Sequence, residues 1–149
     1  MPYTKRAIAH PRMVDKLVLL CPAGVGTQKT SFAFMALFNL LLGEKGMDRL
    51  YRKVNGGKPI PQVMIKYQKL IGKKFNFRRA HVPLFSDAEL TQLTMPSALF
   101  VGLKDVMFHS LKTAQRYRSL VPNAKVNVLQ EAGHTLIDLM DDILSFLQK

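Results

Sequence analysis

Asp105 and His134 are the two side chains whose setting in this sequence points to chemistry. Each follows a run of apolar or strand-forming residues that ends in a glycine, Met95 to Gly102 ahead of Asp105 and Val126 to Gly133 ahead of His134. Such a run sets an ionisable side chain at the carboxyl end of a buried strand, and open parallel sheets place their reacting groups at those ends. A carboxylate that orients an imidazole, and an imidazole that takes a proton from a hydroxyl, are two thirds of a catalytic triad. The third member has no obvious bearer. Ser31, Ser86, Ser97, Ser110, Ser119 and Ser145 all lack the flanking glycines of a tight nucleophile turn.

The elements that must carry the pair can be read from periodicity. Residues Met1 to His10 have weak helical character that stops at His10-Pro11, because the residue before proline is pushed out of the helical region. Asp15 to Cys21 reads as a strand buried on both faces, closed by Pro22-Ala23-Gly24. Ser31 to Leu42 is helical, with an apolar surface formed by Phe32, Met35, Ala36 and Phe38 that is too broad for one stripe. A second helix is predicted from Ile60 to Ile71, with Gly56-Gly57 separating the two. Ser86 and Glu89 have capping-box spacing and open a short helix carrying Leu90 and Leu93. Ser97 to Val101 is the next strand. Ser110 caps a helix to about Leu120 with Leu111, Ala114 and Tyr117 inward, and Lys125 to Leu129 is a third strand. The last helix is predicted from Thr135, with Asp138 in its capping box, and buries Leu136, Met140, Ile143, Leu144 and Leu147. Strands alternating with helices predict an α/β fold with a parallel sheet covered on both sides.

Composition bounds the class. The chain has 149 residues, of which 48% are hydrophobic, enough for one ordinary domain with a core. A single cysteine, Cys21, makes no internal disulfide, and no secretory signal is visible, so a cytoplasmic address is the default expectation. The most apolar segment, Phe32 to Leu42, falls short of the roughly 20 residues a membrane-spanning helix needs. The formal net charge is +12, and the cations crowd the middle of the chain from Lys45 to Arg79. Such a run is usually a solvated face. With Tyr51, Tyr67, Phe75 and Phe77 interleaved, it also keeps nucleic acid or anionic lipid open as partners.

Other residues carry weaker signals. Gly24 to Thr30 suggests a phosphate loop, but Gln28 stands where a glycine must precede Lys29, so nucleotide binding is rejected. His109 begins a helix, and His10 and His81 lie beside or near prolines as surface residues. Cys21 reads as a small core residue with no reactive partner. No metal or cofactor is expected.

Three stretches in order resemble a known family. His10 to Gly24 resembles the sixth strand of the α/β-hydrolases and its approach, and Pro96 to Asp105 the seventh strand with the triad acid after it. Ala132-Gly133-His134 with the following amphipathic helix is similar to the family's histidine loop and last helix. The resemblance implies a partial α/β-hydrolase fold: residues 1–26 and 80–149 as the core, 27–79 as a basic helical cap. It implies a serine hydrolase of ester or related acyl bonds, with Asp105 as the triad acid and His134 as the base. The family's chain order is serine, acid, histidine, so the resemblance puts the serine ahead of Met1 and makes this chain the C-terminal half, inactive alone. A missing N-terminal half or self-association through an open strand edge is the expected partner. The alternative is a noncatalytic module that contacts a polyanion through its basic middle.

Overall fold

In the computed structural model, residues 2–59, 61–74 and 83–148 are described. Met1, Ile60, Phe75, Phe77, Arg79 and His81, which enter several of the expectations above, lie outside them. The elements run α1 (Pro2–Ala9), β1 (Leu17–Leu20), α2 (Thr30–Leu41), α3 (Gly43–Val54), α4 (Gln62–Lys74), α5 (Asp87–Leu90), β2 (Ser97–Gly102), α6 (Ser110–Leu120), β3 (Ala124–Leu129) and α7 (Met140–Gln148).

The three strands pair in the order β1-β2-β3, all parallel. Leu17 lies opposite Ser97, and Ser97 opposite Ala124. β2 is central, and all six of its residues are buried, which a strand covered on both faces requires of its sequence. Side chains alternate between the faces. Leu99 and Val101 join Leu17, Leu19, Val25, Leu90, Ala114 and Tyr117 on one side, while Ala98 and Phe100 meet Leu139, Ile143 and Phe146 on the other. The Tyr117 hydroxyl donates to Ser97 Oγ at 2.9 Å, so the larger core cluster satisfies its own polar pair. Arg116 ties three segments together, donating to the Val25 and Phe85 carbonyls and to the Asp87 carboxylate.

Several expectations about the elements are corrected. β1 is not buried on both faces: Leu17 and Leu19 are buried but Leu20 is exposed, and no second strand pairs with β1 among the described residues, which leaves the open edge that was expected. In α6 the inward stripe is Ser110, Thr113, Ala114 and Tyr117, which leaves Leu111 outside; Ser110 sits within the helix rather than capping it. α7 starts five residues later than predicted. Asp138 has a φ of +60°, outside the helical region, so it ends the loop instead of capping the helix. The later start turns the helix: Leu139, Ile143 and Phe146 face the sheet, and Met140, Leu144 and Leu147 are exposed. The capping box at Ser86 and Glu89 forms as read, and Leu90 and Leu93 are fully buried.

α3 has no counterpart in the sequence reading, because Gly43 and Gly46 depress its helical signal. Gly46 has a packing reason. A Cβ there would fall 2.0 Å from the Asn39 carbonyl oxygen, so glycine is what lets α2 and α3 meet closely. No helix among the described residues is long and apolar enough to cross a membrane.

Candidate active site

The turn after β2 builds the carboxylate's seat. Asp105 Oδ1 accepts backbone N–H bonds from Met107 at 2.6 Å and Phe108 at 3.1 Å, a turn that an aspartate side chain closes on itself. That fixes the other oxygen: Oδ2 faces His134 Nδ1 at 2.9 Å. Asp105 is only 2% exposed. The two residues singled out by their sequence setting therefore meet.

His134 is held from three directions. Its backbone N–H donates to the Val54 carbonyl at 2.7 Å, so the carboxyl end of α3 grips the histidine loop. The Phe108 ring stacks on the imidazole with centroids 5.3 Å apart and planes 22° from parallel. Lys104 N–H donates to the Ala132 carbonyl at 2.9 Å and ties the acid's turn to the histidine's loop. Gly133 permits this crowding, since a Cβ there would lie 2.2 Å from Gly56 N and 2.4 Å from the Val54 oxygen. Lys29 Nζ donates to the Asp105 backbone carbonyl at 2.6 Å.

Electrostatics follow from burial and pairing. Burial works against the charged imidazole, but the bond to Asp105 and the nearby Cys21 sulfur outweigh it and push His134 up to about 9. Burial likewise works against the Asp105 carboxylate, yet the His134 bond and the two backbone N–H groups hold its carboxyl below the usual range. An ionised carboxylate accepts only, so the Nδ1 proton points to Oδ2 and Nε2 is left free for a proton partner.

Cys21 changes the picture drawn from sequence. It is buried, as expected, but it is not without a partner: its sulfur, a ring nitrogen of His134 and a carboxylate oxygen of Asp105 all lie within 4.8 Å of one another. Its φ of +40° turns the chain sharply at the end of β1, where its N–H donates to the Phe100 carbonyl at 2.9 Å. The signal was available, since Cys21 too follows an apolar strand and precedes a glycine-containing turn. The holds from Val54, Phe108 and Lys29 had no such signal. His109 heads α6 and His10 is exposed. Among the described residues no serine hydroxyl is hydrogen-bonded to His134; Ser97 is engaged by Tyr117, and Ser119 donates to the Arg116 carbonyl.

A cavity of about 630 Å³ adjoins the pair across the Phe108 ring, with Thr27, Lys29, Phe32, Phe34 and Met107 among its walls. Its lining is mostly apolar side chains with one cationic side chain.

No family model and no curated protein matches the sequence. Solved structures do match the fold. Carboxylesterase CesB from Bacillus subtilis superposes with a TM-score of 0.78 at 20% identity, over 97% of this chain and 55% of that one. Naproxen esterase from Bacillus subtilis gives 0.75 at 19%, over 98% and 53%. The 2-hydroxy-6-oxo-6-phenylhexa-2,4-dienoate hydrolase from Rhodococcus sp. strain RHA1 gives 0.71 at 17%, over 96% and 58%. The chain thus spans little more than half the length of the structures it matches. Its three parallel strands and flanking helices are part of the α/β-hydrolase fold.

Proposed function

We propose that this chain, which carries part of the α/β-hydrolase fold, supplies the acid and base of a serine hydrolase acting on esters or related acyl bonds. The serine and the oxyanion donors come from polypeptide outside these 149 residues. The observation that carries the reading is the bond of 2.9 Å between His134 Nδ1 and Asp105 Oδ2, with Asp105 sealed from solvent. In the neutral imidazole, the form that grows as pH rises toward about 9, Nδ1–H is committed to the carboxylate and Nε2 takes the serine proton as Oγ attacks the carbonyl, then gives it to the leaving alcohol. In deacylation the same nitrogen takes a proton from water and returns it to the serine. Asp105 stays ionised throughout and stabilises the imidazolium.

The two Bacillus subtilis structures are esterases by name, which makes an ester the first substrate class to try. Phe32, Phe34, Met107 and Phe108 suit the cavity to an apolar acyl or aryl group. The edge of β1 that no strand among the described residues pairs, with exposed Leu20, is where the remaining strands would dock, and where two copies would associate in their absence.

The test is complementation. Mixed with a polypeptide carrying the remaining strands and a Gly-x-Ser-x-Gly turn, the chain hydrolyses p-nitrophenyl acetate, and a His134→Ala variant does not. Alone, it shows no turnover. Stoichiometric labelling of the purified chain by a fluorophosphonate probe would overturn the reading. A second reading, a polyanion-binding module, draws on the exposed Lys45, Arg49, Arg52 and Lys53 of α3. Salt-sensitive retention on heparin without complementation would favour it.

A further inference from the structure

Cys21 belongs to the same cluster as the acid–base pair but has no role in the scheme above. Its position at a strand end beside an imidazole invites the reading of a nucleophile. Two features oppose that. Pro22 follows it, and proline has no N–H to donate at the position after the nucleophile, where an oxyanion hole needs one. The thiol is also buried, with the residue 8% exposed.

A metal ion makes neither demand. We propose that Cys21, His134 and Asp105 form a binding site for a thiophilic divalent cation of the zinc class, and that its occupation silences the acid–base pair. Sulfur, nitrogen and oxygen donors in that combination, three from protein with a fourth position left for water, are what zinc accepts. Bond lengths of about 2.0 to 2.3 Å on a tetrahedron put donors about 3.3 to 3.8 Å apart. The three donors already lie within 4.8 Å of one another, so side-chain rotation can close the site. Charge balances: a thiolate and a carboxylate neutralise the ion, and a neutral imidazole adds nothing. The ammonium of Lys29 opposes the ion, but it is directed at the Asp105 backbone carbonyl. The thiol proton and the second proton of the imidazolium leave to water as the sulfur–metal and nitrogen–metal bonds form, and no electron moves.

Silencing follows whichever ring nitrogen binds, and this consequence alone rests on the hydrolase reading. Ligation at Nε2 occupies the lone pair that would take the serine proton. Ligation at Nδ1 replaces the bond to Asp105 that orients the ring.

The experiment titrates Co2+ into the chelator-stripped 149-residue chain. Cys21 is the one cysteine, so any near-ultraviolet sulfur-to-cobalt band reports on it. One equivalent should raise that band, one equivalent of Zn2+ should erase it, Cys21→Ser should lack it, and His134→Gln should weaken binding at least about tenfold. Absence of the band, or unchanged affinity in His134→Gln, overturns the site. A wild-type readout guards against a misfolded variant: Zn2+ should slow modification of Cys21 by methyl methanethiosulfonate about tenfold or more, and an unchanged rate overturns the site. A cobalt band in a chain that never complements would sink the hydrolase reading and leave the metal site standing.

Discussion

β2 and α2 are both rich in apolar residues, and their fates are opposite. Every residue of β2 is buried, whereas the one fully buried residue of α2 is Asn39. Phe34, Leu37, Phe38, Leu40 and Leu41 of α2 are all more than half exposed. The strand is sandwiched between two core clusters, but the helix is covered chiefly by α3. Even its buried polar group is only partly satisfied: Asn39 Nδ2 donates to the Met35 carbonyl at 2.7 Å, and Oδ1 has no partner among the described residues. A helix apolar on nearly all sides belongs to a larger body or an interface. The difference teaches that the sheet carries the buried core, while α2 presents surface that the described residues do not cover.

The largest test of that contrast is a pair of truncations. Leu99→Ala, at a fully buried position, should cost about 2 to 5 kcal/mol in urea unfolding. Leu41→Ala, at a position 77% exposed, should change stability by no more than about 0.5 kcal/mol. Equal losses would erase the distinction. Next, Asp105→Ala leaves the Met107 and Phe108 N–H groups without their acceptor and should cost about 1 to 3 kcal/mol. The same variant should bring the His134 titration, followed by NMR in chelator-treated protein, down from about 9 toward its ordinary range.

A smaller effect should appear with pH. The folded state raises His134 from an ordinary value near 6.5 to about 9, so the stability this contributes is fully present below about 6.5 and is lost as pH rises through about 9. Asp105 is lowered on folding, so its contribution is present above its ordinary value near 3.8 and is lost as pH falls below it. The melting temperature should therefore decline between about pH 6.5 and 9, and His134→Gln should flatten that decline. The smallest effect belongs to the helical segment. Lys69 of α4 pairs with Asp48 of α3 at 3.1 Å, both residues half-buried with side chains still open to water that screens the attraction, so Lys69→Gln should shift the melting curve little.

Much of the site was legible because its residues follow a local rule: apolar strand, glycine, ionisable group. Asp105, His134 and the order of elements around them obey it, and the match to α/β-hydrolase structures bears out the fold that the resemblance implied. Helix starts were less legible. Asp138 has the composition of a cap but adopts a left-handed turn, and Gly46 looks like a helix breaker until Asn39 is seen packed against it.

The sequence by itself determined the parallel alternation of strands and helices and singled out Asp105 and His134, since each depends on short-range pattern and on apolar burial. Only the tertiary structure decided that Val54 grips the histidine loop, that Phe108 roofs the imidazole and that Cys21 stands beside both partners. Those contacts join residues far apart in the chain, and no local periodicity encodes the distance between two strand ends.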